Sequence, residues 1–261
     1  MGLRCGKAQD SVSNIRTDIL YVKKDDPTMQ IEKRIALLEK IYRVYEAFCA
    51  NFSSACRKGC ALCCTANVTM TTLEGAMIHN HWLAEGGGAP VGALQAASRR
   101  PRFQPRITTN HLAALCVQPQ AGDPELPDES ADPRVGPCPL LVGNLCSIYA
   151  VRPFGCRAMV SRSDCAGHGA ADMPDEVLAA NTLVLQFIEA IDAGGLTGNL
   201  TDVLLHLAQM AWPDAYEFKE RRSFADGLAA NQPIPCLMVP PEQRERLAPL
   251  LQAIRRILTT P

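Results

Sequence analysis

The chain has 261 residues, of which 47% are hydrophobic and 20% are charged, so it is long enough for one large or two small globular domains. Its 26 basic and 27 acidic side chains give a net charge of −1, which excludes an overall basic field for nucleic acid or anionic lipid. The twelve cysteines are abnormal, being fewer than a disulfide scaffold carries but more than a cytosolic core requires.

The N-terminal sequence carries no recognisable targeting segment. The first twenty residues lack an apolar run long enough for a signal peptide. No window approaches the ~18 consecutive apolar residues of a membrane span. We therefore expect a cytoplasmic protein without a membrane segment. In that reducing compartment, clustered cysteines are metal ligands or redox groups more often than disulfides.

The first predicted elements are an arm and two helices. Residues 1–25 are polar and aperiodic, which is typical of a flexible N-terminal arm. Asp26 and Pro27 then have the order of an N-cap and a first helical proline, and apolar residues recur every three or four positions. This pattern predicts a helix from 27 to about 50. A capping-box sequence from Thr71 to Glu74 predicts a second helix that ends near residue 85.

Between about 87 and 137 the sequence becomes rich first in arginine and then in proline and acidic residues. This composition predicts a long loop excursion with one short strand, over 112–117. Two β-prone runs, 140–142 and 145–149, then flank Gly143 and Asn144. A two-residue Gly-Asn connection between such runs predicts a tight hairpin.

The C-terminal part has a helical pattern, with helices predicted over 175–193, 201–212, 209–229 and 241–258. The expected fold class is mainly α, with a small irregular cysteine-rich core that contains the short β-hairpin. We expect residues 26–170 to form a metal-binding domain and residues 171–261 to form a helical region that packs on it.

Eight of the twelve cysteines fall into two groups, with spacings C-x3-C-x2-C-C and C-x7-C-x9-C-x8-C. Short separations let several sulfurs converge within ~2.3 Å of one metal, whereas isolated cysteines behave as small buried hydrophobes. The predicted metal ligands are Cys56, Cys60, Cys63, Cys64, Cys138, Cys146, Cys156 and Cys165. The isolated cysteines are Cys5, Cys49, Cys116 and Cys236.

The Cys63–Cys64 doublet carries further information, because adjacent side chains diverge and rarely ligate one mononuclear ion together. Eight thiols with a doublet favour two metal sites, or a cluster plus a metal, built jointly by both groups. Such thiolate sites carry net negative charge, which neighbouring cations offset. The candidate cations are Arg57, Lys58, Arg152, Arg157 and Arg162.

Residues 56–64, CRKGCALCC, followed by CPLL at 138–141 and CSIYAVRPFGCR at 146–157, resemble the CxxCxxCC cysteine-cluster family of YkgJ-type bacterial proteins. Members of that family are described as zinc- or iron-chelating, and some as iron–sulfur proteins. The resemblance covers roughly residues 48–166. It implies metal ligation by the first seven cysteines of the two groups, and less directly by Cys165, because the spacing after the Cys-Arg pair varies. At position 62 this chain has leucine, where family members commonly have a charged or polar residue. This difference does not affect any of the predicted ligands.

Two enzyme classes share parts of this pattern. The spacing of Cys56, Cys60 and Cys63 is also that of radical S-adenosylmethionine enzymes, but Leu62 replaces their usual aromatic and repeated strand–helix alternation is missing. Flagellin lysine N-methylases, which use S-adenosylmethionine, resemble the family in their cysteine cluster. Here, however, the glycines at 86–88 do not follow a predicted strand, as a nucleotide-binding loop would.

The expected function is metal binding. Spacing does not separate iron from zinc, since soft thiolates suit both, but eight thiolates favour an iron–sulfur cluster such as 4Fe–4S, with zinc or iron ions as the other outcome. A redox role agrees with this, and a cluster-dependent methylase is the alternative. No paired carboxylates or Ser/His/Asp arrangement indicate catalytic residues, and the sequence identifies no protein partner.

Overall fold

The structure is a computed structural model that describes residues 27–117, 129, 132, 135–209 and 227–259. Helices dominate these residues, so the predicted mainly α class with a short hairpin is confirmed. The helices are α1 (Pro27–Cys49), α2 (Thr72–Ala84), α3 (Val91–Ser98), α4 (Thr109–Val117), α5 (Phe154–Arg157), α6 (Cys165–His168), α7 (Asp175–Ile191), α8 (Leu200–Gln209) and α9 (Arg244–Thr259). Short 3-10 turns cover Tyr149–Val151 and Pro241–Gln243. None of the helices in the described ranges is long and apolar enough to cross a membrane.

The strands form two small antiparallel sheets. One sheet has the order β1 (Thr69–Thr71), β4 (Leu196–Asn199) and β5 (Leu228–Ala230), with Met70 opposite Gly198 and Thr197 opposite Ala229. The other is the predicted hairpin of β2 (Leu141–Val142) and β3 (Leu145–Cys146). Gly143 adopts a φ of +61° in its two-residue connection, a conformation that favours glycine.

Two hydrophobic clusters make up the core. The first joins α1, α7 and α9, and Leu38, Leu183 and Ile254 are fully buried in it. The second joins α2, α3 and α8 with the hairpin region, whose Leu140 and Ile148 are also buried. Both clusters combine residues from either side of position 170. The residues before and after position 170 therefore contribute to common cores.

Glu74 links the start of α2 to two other elements. Thr71 caps α2 and Glu74 completes the predicted capping box, with its Oε2 accepting the Thr71 N–H at 2.6 Å. Its Oε1 accepts the Tyr42 hydroxyl of α1 at 2.5 Å and the Phe154 N–H of α5 at 2.6 Å. The same carboxylate thus holds in place the short helix that carries Cys156.

Several sequence predictions are wrong in detail. Residues 112–117 form the end of α4 and not a strand, and the predicted loop at 87–137 contains both α3 and α4. Residues 228–230 form β5, where the helix predicted over 209–229 was expected to end. The predicted arm at 1–25, residues 118–128 of the excursion and residues 210–226 lie outside the described residues.

Candidate metal centre

The first cysteine group lies on a loop of two tight turns that follows α1. The Cys60 N–H donates to the Arg57 carbonyl at 3.0 Å, and the Cys64 N–H donates to the Ala61 carbonyl at 3.0 Å. Gly59 has a φ of +89° at the third position of the first turn, which a type II turn requires. The turns fold four cysteines into one short segment without any regular element.

Backbone pairing joins this loop directly to the second group. Thr65 and Pro137 form an isolated antiparallel bridge, and the Cys138 N–H donates to the Cys64 carbonyl at 2.9 Å. On the following hairpin Cys146 lies opposite Leu141, whose N–H donates to the Cys138 carbonyl at 3.1 Å. Cys64 and Cys138 are therefore neighbours in the fold, although more than seventy positions separate them in the sequence.

Two further contacts complete the enclosure. Cys156 lies on α5, beside a glycine whose Cα approaches β1 so closely that an added Cβ would be 2.7 Å from the Thr69 carbonyl oxygen. The Cys56 sulfur accepts the Ser161 N–H at 3.3 Å and lies 3.6 Å from the Met159 carbonyl oxygen. The chain just before Cys156 thus packs against β1, and the chain after it contacts the first cysteine loop.

The result is one cavity of about 490 Å³ that six of the eight predicted ligands line. They are Cys56, Cys60, Cys63, Cys64, Cys146 and Cys156. Cys138 lies behind the lining, where its side chain packs against the second hydrophobic cluster. Cys165 begins α6 and does not line the cavity.

The cavity also contains residues that the sequence reasoning missed. Cys49 was placed among the isolated cysteines by its spacing, but it lies at the end of α1 and lines the cavity. Tyr149, which begins a 3-10 turn, lines it as well. The only sequence signal for Cys49 was its position seven residues before Cys56. Of the other isolated cysteines, Cys116 is disulfide-bonded, Cys236 is a half-buried free thiol, and Cys5 lies outside the described residues.

Arg152 is the cation whose environment points most directly to a bound negative charge. It lines the cavity with its guanidinium 4.3 Å from the centre of the Tyr149 ring. Its Nε is buried and has no hydrogen-bond partner among the described residues. A buried donor without an acceptor costs about 1–3 kcal/mol, so an acceptor in the cavity would relieve this penalty.

The other predicted cations are arranged differently. Arg57 lines the cavity, and the Lys58 ammonium lies 5.9 Å from the centre of the Tyr149 ring. Arg157 also lines it, but pairs with Glu46 and donates from Nε to the Arg152 carbonyl at 2.8 Å. Arg162 pairs with Asp172 at 2.6 Å and is not part of the lining.

The thiols shift each other's pKa values. A hydrogen bond from the Cys63 thiol lowers the pKa of Cys64 and raises that of Cys63 itself. Burial raises the pKa of Cys156, and the negative charges of Cys138 and Cys146 raise it further. The positive charge of Arg152 lowers the pKa of both Cys63 and Cys156. Without a cation Cys63 and Cys156 therefore favour their neutral thiol form, whereas a bound metal ion deprotonates a coordinating thiol.

Comparison of the chain with protein-family models, with curated proteins and with solved structures finds no significant match. The resemblance to the cysteine-cluster family therefore stays a prediction from the residues. Within the described ranges, moreover, no group of three or more His, Cys, Asp or Glu side chains forms a ready-made metal site. Ligation requires the sulfurs to rotate toward a common point, and the cavity that they line provides that space. The donor set of soft thiols and the unpartnered Nε of Arg152 suit a thiolate-bound metal centre.

Proposed function

We propose that this protein binds a thiophilic metal cofactor through its two cysteine groups, an iron–sulfur cluster in preference to zinc or iron ions. The observation that carries the proposal is the shared cavity, which brings together six thiols from three separate segments of the chain. Free thiols that served only as small hydrophobes would be distributed through the two hydrophobic clusters. Instead, Cys56 and Cys63 are exposed and the other four are half-buried at the cavity, and of the six only Cys146 also packs against a hydrophobic cluster.

The electrostatic environment also favours a metal–thiolate centre. Four thiolates around a divalent ion, or around a doubly charged 4Fe–4S core, leave a net charge of about −2. Arg57 and Arg152 line the cavity, where their positive charges offset part of that charge. Arg152 would also gain an acceptor for its buried Nε, since thiolate and sulfide sulfurs accept hydrogen bonds.

We do not extend the proposal to methyl transfer. The glycines at 86–88 follow α2 and not a strand, so they do not form the strand-to-helix loop that holds the phosphates or ribose of a nucleotide. A redox role follows from an iron–sulfur centre but not from a zinc centre. The identity of the metal is therefore the first thing to determine.

The test is metal and acid-labile sulfide analysis of anaerobically purified protein, together with its visible absorption spectrum. Coloured protein with stoichiometric sulfide would exclude zinc alone, whereas colourless protein with bound zinc and no sulfide would exclude the cluster. Protein that holds no metal after anaerobic purification and reconstitution would refute the proposal.

A pair of matched variants tests the ligand group. Cys60→Ala removes a thiol from the cavity lining and should abolish or strongly reduce metal retention. Cys236→Ala removes a half-buried thiol outside the lining, which lies 3.8 Å from the Ala113 carbonyl oxygen, and should leave retention intact. Equal retention in the two variants would show that the cavity thiols are not the ligands.

A further inference from the structure

We propose that the rim of the cavity is a docking surface for a protein partner with an acidic surface. The rim is formed by four exposed apolar side chains and two exposed cations, namely Leu62, Val142, Leu145, Tyr149, Arg57 and Lys58. The partner covers the apolar side chains and places carboxylates against the two cations. Because none of these six residues is a thiol, the inference concerns the surface around the cavity and does not depend on a bound metal.

The hairpin supplies the most exposed apolar side chains of the rim. Val142 and Leu145 lie opposite each other on β2 and β3, and they are 72% and 56% exposed. The side chains of directly opposed residues lie on the same face of an antiparallel pair, so these two form one apolar surface. Because Leu141 and Asn144 of the same hairpin line the cavity, this surface lies at its edge.

The first cysteine loop and the turn after the hairpin supply the other two apolar side chains. Leu62 is 55% exposed and lies between Cys60 and Cys63, which both line the cavity. Tyr149 lines the cavity itself and is also exposed. Single exposed apolar residues are common in soluble proteins, but four of them around one concave site are typical of an interaction surface.

The charge around the cavity differs in sign from that of the rest of the chain. Residues 50–73 and 135–163, which carry seven of the eight predicted ligands, contain five basic and no acidic side chains. Since the whole chain has 26 basic and 27 acidic side chains, the remaining residues carry a net negative charge. Such a concentration of positive charge favours a partner surface of the opposite sign.

Two of these five cations are available to a partner. Arg157 and Arg162 are held in ion pairs, and Arg152 is half-buried in the cavity. Arg57 and Lys58, in contrast, are exposed, and neither forms an ion pair with another residue that the structure describes. Their charges can therefore pair with carboxylates from outside the chain.

The charged and apolar parts of the rim adjoin at Tyr149. The Lys58 ammonium lies 5.9 Å from the centre of the Tyr149 ring. Protein interfaces are enriched in aromatic residues at their centre and are polar at their margin. The rim has this arrangement on a small scale, with an aromatic ring beside an exposed cation.

The combination of apolar side chains and exposed cations favours an acidic protein over other occupants. A second copy of this chain, bound through the same rim about a two-fold axis, would bring Arg57 and Lys58 near the identical cations of the other copy, and like charges at an interface are unfavourable. A nucleic acid would need cations along its phosphates, whereas Val142 and Leu145 offer it none. A small anion would leave both apolar side chains exposed to water.

The test measures the binding of two labelled synthetic peptides to the anaerobically purified protein by fluorescence anisotropy. One peptide is amphipathic and rich in glutamate and leucine, and the other has lysine at every glutamate position. The glutamate peptide should bind, and more weakly as salt is added, whereas the lysine peptide should not bind.

Matched variants locate the binding on the rim. Lys58→Glu and Val142→Ser should each weaken binding of the glutamate peptide at least about 10-fold. Arg162→Glu and Leu83→Ser make the same kinds of change elsewhere, since Arg162 pairs with Asp172 and Leu83 is exposed in the last turn of α2. These two controls should bind the glutamate peptide as the wild-type protein does, and equal binding in all four variants would overturn the inference.

The remaining outcomes separate a protein partner from other occupants and from the proposed function. Absence of binding, equal binding of the two peptides, tighter binding of a labelled single-stranded oligonucleotide, or a dimer that Val142→Ser dissociates in sedimentation velocity would each overturn the inference. Lys58→Glu and Val142→Ser should keep the metal content of the wild-type protein, and loss of metal together with peptide binding would assign the rim to the metal site. If the wild-type protein holds no metal, the proposed function fails, while the peptide titration still tests the docking surface.

Discussion

At the scale of single residues, Arg152 is the side chain whose contacts bear most directly on the proposed metal site. Its guanidinium lies against Tyr149, and its buried Nε has no acceptor among the described residues. Arg157, five positions later, has its charge paired with Glu46 and its Nε bonded to the Arg152 carbonyl. The two arginines of one motif thus differ in their contacts, since Arg157 is bonded to the backbone and to Glu46, whereas Arg152 lines the cavity with an unpartnered Nε.

We predict that Arg152→Met lowers metal affinity about 10- to 100-fold while leaving the fold intact, because residues around the ligands typically contribute that much. The methionine keeps an unbranched apolar side chain but removes both the guanidinium over the Tyr149 ring and the charge that offsets the thiolates. Competition with a chromophoric chelator measures the change. Arg162→Met is the control, since Arg162 is exposed and pairs with Asp172 away from the cavity. Equal affinity in the two variants would contradict the charge-compensating role of Arg152.

Glu189 is a buried carboxylate that serves the fold and not the cavity. It accepts the Thr109 and Asn110 N–H groups at 2.8 and 2.7 Å and so caps α4 from another helix. Burial nevertheless raises the pKa of Glu189 to about 7, although these backbone donors oppose the shift. The folded protein therefore holds this proton at pH values where the unfolded chain has lost it.

We predict that stability falls as the pH rises from about 4.5 to 7, by up to about 3 kcal/mol relative to Glu189→Gln. The sign follows because the pKa is higher in the folded state, so that deprotonation in this window favours unfolding. Urea denaturation at a series of pH values measures the difference, with Glu245→Gln, an exposed change on α9, as the control. A pH-independent difference between Glu189→Gln and wild type would contradict the raised pKa.

At the scale of elements, the sequence correctly predicted the features that depend on residues close together in the chain. The capping box at Thr71 and Glu74 and the Gly143-Asn144 turn were both correct, because each involves residues that are adjacent in sequence. Residues 112–117 of α4 were predicted as a strand, because the carboxylate that caps this helix, Glu189, lies 80 residues away from Thr109 and gives no local signal. β4 and β5 contain glycine or alanine and have low β-propensity, so the pairing of β4 with β1 and with β5 was not predictable.

The same distinction applies to the candidate site. Spacing predicted that two cysteine groups act together, which stays a prediction, and the structure places members of both groups at one cavity. Which thiols face the cavity depends on the Thr65–Pro137 bridge and on the packing of α5 against β1. These are long-range contacts, so the sequence could not separate Cys138 and Cys165 from the lining or add Cys49 to it.

We predict that Gly155→Ala destabilises the protein by about 1–3 kcal/mol and reduces metal retention, because the new Cβ would lie 2.7 Å from the Thr69 carbonyl oxygen. Backbone must shift to relieve this contact, and Cys156 is the next residue. Thermal unfolding and metal analysis measure the two effects. Gly167→Ala, in α6, has no atom within 4 Å of its added Cβ and should change neither. Wild-type behaviour of Gly155→Ala would show that α5 does not need this approach.

At the scale of the whole molecule, the two hydrophobic clusters do not depend on the cysteines for their burial. The first is formed by long helices, and the second anchors the hairpin region through Leu140 and Ile148. The loop of the first cysteine group differs, because residues 55–64 contribute no buried side chain to either cluster. A bound metal would therefore stabilise this loop most strongly.

We predict that removing the metal with a chelator raises amide hydrogen exchange selectively in residues 55–64, while the amides of α7 keep their protection. The reason is that metal binding and folding are coupled only where no other core holds the chain in place. Hydrogen exchange measured by mass spectrometry, before and after chelation, follows both regions in one experiment. The Cys60 and Cys64 N–H groups, each bonded across one tight turn, should show the largest change. Global loss of protection, with α7 exchanging as fast as the loop, would mean that the metal supports the entire fold and that the two clusters are insufficient without it.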